Sequence, residues 1–343
     1  MAGTSRVTLA DDLNETPEVA ELRATLRRLE RKLGMANAKT EQLVAAVYQA
    51  ARDAAMIVGR SPVAAPKPDR RRRGAEVALV HATDWQCGKI SPSFSMDILE
   101  DRIGRFGEKV AKLTGLQRDS GPVRECVVML GGDMVEGVQI FPGQAWEIEA
   151  TLYEQTFRAA RIVEGLVGRM LGVFERVTVV TEWGNHGRLG RRGDYPGGDN
   201  IDRMLYRIVE ERYANEPRCA WVNSDDFYNR VDIGAYHAML AHGDEIKSFG
   251  GNVPAFGILR KCNAWASGAI PYGFQDVYLG HFHTPMTLTM ANAGRVFVTG
   301  SPESGNSYAM EFVAATGVPS QRLHFVDPKA GRVTSEWTVW LDG

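Results

Sequence analysis

The chain has 343 residues, 44% of them apolar and 24% charged, with a formal net charge of −2. That balance excludes a disordered chain and leaves room for a sizeable buried core. It also excludes a globally basic nucleic-acid binder, so any contact with a polyanion has to come from local patches.

In chain order, residues 1–60 read as a helical hairpin or coiled-coil arm. Thr16 can cap a helix with Pro17 in its first turn, and Val19, Leu22, Leu26, Leu29 and Leu33 recur at spacings of three and four up to Gly34. A second helix is expected over residues 40–58, with Leu43, Val44, Val47, Ala50, Ala51, Ala54 and Ile57 forming its stripe. About two and a half heptads are short for an independent coiled coil. The arm is therefore expected to form a hairpin on the body or a weak homodimer contact. The first fifteen residues lack the apolar stretch of a signal peptide, and no run is long enough to span a bilayer. The four cysteines show no C-x-x-C pairing, which argues against disulfides or a cysteine zinc site. The expected location is the cytoplasm (the host's, were the protein viral), with no membrane partner.

Residues 61–75, within "SPVAAPKPDRRRRG", read as a linker that its prolines keep extended. The run Arg70–Arg73 could touch phosphates or simply be solvated.

Residues 76–343 alternate β-like runs with helices, which predicts a layered α/β domain. The β-runs are 76–82, 125–130, 176–182, 235–241 and 275–280; helices are expected at 95–116, 145–174 and 200–213. Two β-hairpins follow, over 286–300 and 322–342, with turns at Ala-Gly and Lys-Ala-Gly.

Each of the five β-runs is followed at once by potential metal ligands: Asp84 and Gln86; Asp133 and Glu136; Asn185 and His186; His242, Asp244 and Glu245; His281 and His283. Four of the seven histidines fall in these loops. Sites in open α/β sheets assemble at the carboxyl ends of strands. Mixed nitrogen and oxygen donors suit Mn²⁺, Fe²⁺ or Zn²⁺ better than an all-oxygen Mg²⁺ cage. If "HFH" is extended, His281 and His283 point to one side and could serve different cations.

The loops read "DWQ", "GDMVE", "GNHG", "HGD" and "GHFH". In this order they resemble the calcineurin-like metallophosphoesterase superfamily, and within it the Mre11/SbcD-type nucleases and their bacteriophage relatives, over residues 76–300. The resemblance implies a four-layer α/β/β/α sandwich holding two divalent metal ions, Mn²⁺ first, with Mg²⁺, Fe²⁺ or Zn²⁺ as alternatives. It implies Asp84, Gln86 and His283 at the first metal, Asp133 as a bridge, and Asn185, His242 and His281 at the second. His186 would act as general acid, oriented by Glu136, while a metal-bridging hydroxide attacks phosphorus. The function implied is a phosphodiester hydrolase, an exo- or endonuclease with DNA as partner. A phosphatase or phosphodiesterase for small nucleotides or phosphoproteins has the same metal chemistry, and a non-catalytic scaffold would keep the fold alone.

Two positions depart from the family pattern. Gln86 stands where a His is usual, which shifts the first site toward harder, weaker binding if the amide ligates at all. Gly187 stands where an acid is usual, followed by Arg188, which either meets a substrate phosphate or is a surface arginine. His81, His237 and His324 read as structural, Trp85 and Trp183 as packing rather than base-stacking residues, and Cys87 as a buried thiol. The loop 187–200 is expected to line a substrate groove, and the segment 300–312 to border the site.

Overall fold

The computed structural model describes residues 24, 25, 27, 28, 62–72, 74–138, 140, 141, 143–190, 192–247, 253–304 and 318–342. The chain divides into two compact units, Met1–Val58 and Gly59–Gly343. Of the expected arm, only Ala24, Thr25, Arg27 and Arg28 are described, and they are helical; the rest of that expectation lies outside the described residues. No described helix is long and apolar enough to cross a membrane.

Residues 62–72 run without regular structure, as their prolines dictate. Val63, Pro66 and Asp69 are half-buried while their neighbours are mostly exposed, the three-residue repeat of an extended proline-rich helix. The segment is fastened to the body: Asp69 N donates to Glu175 Oε1 at 2.8 Å, and Arg218 donates to the Val63 carbonyl at 2.9 Å. Arg71 spends its guanidinium on Asp69 and on the carbonyls of Arg118 and Gly121.

The described residues of the body form eleven strands: β1 (Glu76–Ala82), β2 (Val123–Leu130), β3 (Arg176–Thr181), β4 (Cys219–Asn223), β5 (Tyr228–Ile233), β6 (Tyr236–Ala241), β7 (Asp276–Leu279), β8 (Met286–Thr289), β9 (Arg295–Val298), β10 (Ser320–Asp327) and β11 (Arg332–Trp340). The described helices are α1 (Met96–Arg118), α2 (Leu152–Val173), α3 (Ile201–Arg212) and α4 (Ala255–Ala264). One sheet has the order β11-β10-β1-β2-β3-β4, the other β5-β6-β7-β9-β8. In the first, β1 to β4 are parallel, and the hairpin β10–β11 adds antiparallel to β1. In the second, β6, β7 and β9 are parallel, with β5 and β8 antiparallel at the edges.

Alternation along each strand sends two apolar faces in opposite directions. Leu79, Met129 and Val180 of the first sheet meet Val231, Leu240, Tyr278 and Phe297 of the second in one buried cluster. The other face of the second sheet packs Met239, Val277 and Val296 against Ile258, Cys262 and Trp265 of α4 and the turn that follows it. Helices α1 and α2 lie against the first sheet, and each buries a stripe, such as Leu99, Ile103, Phe106 and Val110 on α1. The result is the α/β/β/α sandwich.

Helix α2 begins at Leu152, not at 145. Thr151 and Glu154 form a reciprocal capping box there, and residues 144–146 make only a short 3₁₀ turn. Strands β4 and β5 and helix α4 were not expected from the sequence.

Candidate metal centre

The carboxyl ends of β1, β2, β3, β6 and β7 open onto one edge of the sandwich, and their loops are stitched together by main-chain bonds. Asp84 N donates to the Gly132 carbonyl at 3.0 Å, Gln86 N to Asp133 at 2.9 Å, and Gly280 N to His242 at 2.9 Å. Ser301, beyond β9, donates its hydroxyl to the Asp84 carbonyl at 2.7 Å.

These loops carry most of the unusual backbone in the molecule. Among the described residues, six that are not glycine have positive φ: Asp84, Gln86, Asp133, His281, His283 and Ala293. The first five are expected ligands. A left-handed conformation costs a side-chain-bearing residue on the order of 1–3 kcal/mol and clusters at functional sites. His281 (φ 64°) and His283 (φ 53°) are therefore not extended, so the condition attached to the sequence reading is not met. They nevertheless reach different partners.

Asp133 Oδ2 lies 3.0 Å from His242 Nε2, which lies 3.2 Å from Asn185 Oδ1. The His281 ring stands edge-on to His242 at 5.2 Å between centroids. Asp133, His242 and His281 each present a ligand atom within 4.8 Å of the others. His242 Nδ1 donates to the Gly131 carbonyl at 2.8 Å, so its Nε2 faces inward with a lone pair when the ring is neutral. On the other side His283 Nε2 lies 3.6 Å from Asp84 Oδ1 and 3.3 Å from Gln86 Nε2. Gln86 Oε1 is buried without a partner. A half-turn of the amide exchanges its oxygen and nitrogen and would aim that orphan oxygen where His283 Nε2 points. Inward-facing imidazoles, two buried carboxylates and an orphan carbonyl oxygen are a donor set that fits divalent metal.

His186 N donates to Asp133 Oδ1 at 2.7 Å, and its Nδ1 donates to the main-chain carbonyl of Glu136 at 2.8 Å. The Glu136 carboxylate is the more distant partner, with Oε2 at 3.4 Å from Nδ1. Gln144 secures Glu136 through its amide, at 2.7 Å to the carbonyl and 3.0 Å to Oε1. Burial works against charge on the His186 ring, but Asp133 and Glu136 outweigh it and raise its pKa to about 9.

Electrostatics follow the same geometry. Burial opposes charge on His242, yet Asp133 carries its pKa well above the usual range; His281, buried and beside His242, falls to about 4. His283 is held at about 10, because Asp84 and Glu303 overcome its burial.

The Arg188 guanidinium donates to Asp244 Oδ2 at 2.7 Å. Arg188, Arg192 and Tyr195 of the loop that follows His186 line a cleft of about 450 Å³ with Trp183, Asp225, Asp244 and Glu245. Gly187 has a steric reason. A Cβ there would lie 2.2 Å from Asn200 Oδ1, so the acid of the family pattern has no room. Trp85 is fully buried and cannot stack on a base; Trp183 lies beneath the Arg203 guanidinium at 4.9 Å. Burial pushes the Cys87 thiol up to about 12, an inert core residue.

The sequence reading missed several supporting residues. Asp202, fully buried, accepts from the backbone N–H groups of Asp133, Met134 and Gly184 at 2.8, 3.1 and 3.0 Å. Burial and the neighbouring Asp133 raise its pKa to about 6. Gln321 on β10 pins the first loop through the N–H and C=O of Thr83. Glu303 contacts His283 and is paired with Lys89. An acid in the first turn of α3 looks like dipole complementation, and a Gln inside a strand gives no signal at all.

No family model and no curated protein matches the chain. Among solved structures it is similar to a predicted phosphoesterase from Streptococcus pneumoniae: 12% identity, 77% of this chain and 99% of that one, TM-score 0.33. It is also similar to Vps29 from Entamoeba histolytica, solved with zinc: 13% identity, 77% and 99% covered, TM-score 0.34. A third is the phosphopantetheinyl hydrolase of Mycobacterium tuberculosis: 13% identity, 68% and 95% covered, TM-score 0.29. At these identities and TM-scores the functional reading rests on the side chains themselves.

Proposed function

We propose that the protein is a metal-dependent phosphodiester hydrolase. The observation that carries this is the meeting of Asp84, Gln86, Asp133, Asn185, His242, His281 and His283 at one edge of the sandwich, beside a histidine held by Asp133 and Glu136. In this reading Asp84, Gln86 and His283 hold one divalent cation, Asn185, His242 and His281 the other, and Asp133 lies between them. Bound cations of this kind supply Lewis acidity, lowering the pKa of water and neutralising charge on phosphoryl oxygens.

The chain's own residues do the rest. Asp133 fixes the height of His186 through its main-chain N–H, and Glu136 fixes the ring through Nδ1. In the metal-free protein Asp133 and Glu136 favour the protonated ring, the state a proton donor to a leaving oxygen needs. Ser301 and Gln321 hold the Asp84 loop so that its carboxylate does not swing with substrate.

DNA is the substrate class we propose first, from the resemblance to nucleases. A smaller ester is the second reading, favoured by the arginines: Arg188 is engaged by Asp244, and Arg71 by Asp69 and two carbonyls. The test compares Mn²⁺-dependent degradation of linear single- and double-stranded DNA with hydrolysis of bis-p-nitrophenyl phosphate. DNA degradation supports the first reading, and turnover of the small ester alone selects the second. Inactivity on both, with no rise in melting temperature on adding Mn²⁺, would leave a scaffold.

A further inference from the structure

Outside the expected ligands, one charged pair stands at the centre. Lys89 Nζ meets Glu303 Oε1 at 2.8 Å, and the two side chains are only 7% and 2% exposed. The other oxygen, Oε2, faces His283 Nδ1 at 3.3 Å. Neither oxygen makes a well-aligned hydrogen bond; both are held by charge.

The pair is fixed in place from both ends. Lys89 N donates to the Gln86 carbonyl at 3.0 Å, so the lysine sits on the turn that carries Gln86. Glu303 N donates to Ser301 Oγ, which itself holds Asp84, and Arg102 anchors the neighbouring Pro302 carbonyl at 2.6 Å. A buried ion pair is a poor source of stability, since apolar residues of the same volume often do as well. Its place against His283 calls for another reason.

The two sides of the centre supply that reason. His242 is oriented by a neutral main-chain carbonyl, whereas His283 is backed by a buried carboxylate. A carboxylate facing Nδ1 at this distance acts through its charge: it favours the tautomer with the proton on Nδ1 and makes Nε2 a stronger donor. That strengthening occurs on the side where an amide, Gln86, stands in place of a stronger imidazole donor.

We propose that Glu303, held by Lys89, is a positioning residue that strengthens His283 as a ligand and compensates for Gln86. This rests on the metal reading of the site given above.

The test is calorimetric titration of the whole protein with Mn²⁺ alone across a series of pH values, each affinity being referred to the neutral His283 ring. The wild type is expected to bind in two steps. Glu303→Ala should weaken one step by about 10–100-fold and leave the other within about twofold, with Glu303→Gln intermediate. The double variant Lys89→Met/Glu303→Gln removes both charges and keeps the volume. It should melt close to the wild type while keeping the weakened step. Two wild-type steps that Glu303 variants leave unchanged would overturn this inference alone. Wild-type affinity in the double variant would also overturn it, reducing the pair to packing. A wild type that binds no Mn²⁺ would overturn the metal reading, and this inference with it.

Discussion

In the reading proposed above, with Asp133 between the two cations, Asn185, His242 and His281 stand on one side of the centre and Asp84, Gln86 and His283 on the other, where one imidazole is replaced by an amide. The His242 side, with Asp133, brings three ligand atoms within 4.8 Å and needs only a main-chain carbonyl to orient His242. The Gln86 side carries a neutral amide and is backed by a buried ion pair. If two cations bind as proposed, the difference predicts unequal affinities, the side with the amide being the weaker. A mixed donor set is tuned by what stands behind each ligand as much as by the ligand itself.

The largest expected effect spares both sides. His186→Ala should lower kcat by about 10²–10⁴-fold and leave metal content intact, as read by turnover of bis-p-nitrophenyl phosphate and elemental analysis. Full activity would remove His186 from the chemistry. Asp202→Ala attacks the His242 side from behind. It strips a buried acceptor from three N–H groups, and should cost about 3 kcal/mol or more in urea unfolding. A loss below about 1 kcal/mol would show that water replaces it.

Gln86→His should narrow the gap between the sides, tightening the weaker Mn²⁺ step roughly tenfold, about 1.4 kcal/mol. No change would make Gln86 a bystander. Protons probe the same gap. A protonated ring has no lone pair to give, and His283 in the metal-free protein is raised to about 10. Affinity on its side should therefore climb with pH until about 10 and then level, with proton release detected by titration in buffers of different ionisation enthalpy. A pH-independent weak step would contradict this. Arg188→Ala should have the smallest effect, within about threefold in kcat/KM, because Asp244 already occupies that guanidinium. A fall beyond about a hundredfold would mean that Arg188 leaves Asp244 to meet the substrate.

The strands that carry the centre were legible because they are buried runs of Val, Leu and Met ending abruptly in Gly, Asp and His. β4 and β5 were not. "CAWVN" is short and half-buried to exposed throughout, and "YNRVDI" alternates buried with exposed residues; both lie at sheet edges. Helix α4 follows Pro254 without a capping side chain, so its start left no mark. The hairpin β10–β11 was visible as a hairpin, yet no local pattern announces that it pairs with β1. The donor types were readable, but their supports were not. The contacts of Asp202 with Asp133 and of Gln321 with Thr83 span 69 and 238 residues of chain, distances over which spacing carries no information.

The left-handed backbone at Asp84, Gln86, Asp133, His281 and His283 has a consequence for how the protein breathes. Strain of on the order of 1–3 kcal/mol at each of five positions lowers the free energy of local opening in those short loops relative to the sheets behind them. A cation that grips several of them at once acts as a clasp. Adding Mn²⁺ should slow amide hydrogen exchange together in four segments that are far apart in sequence, around residues 84–86, 133–136, 185–186 and 281–283. The strand interiors should keep the exchange rates they had before.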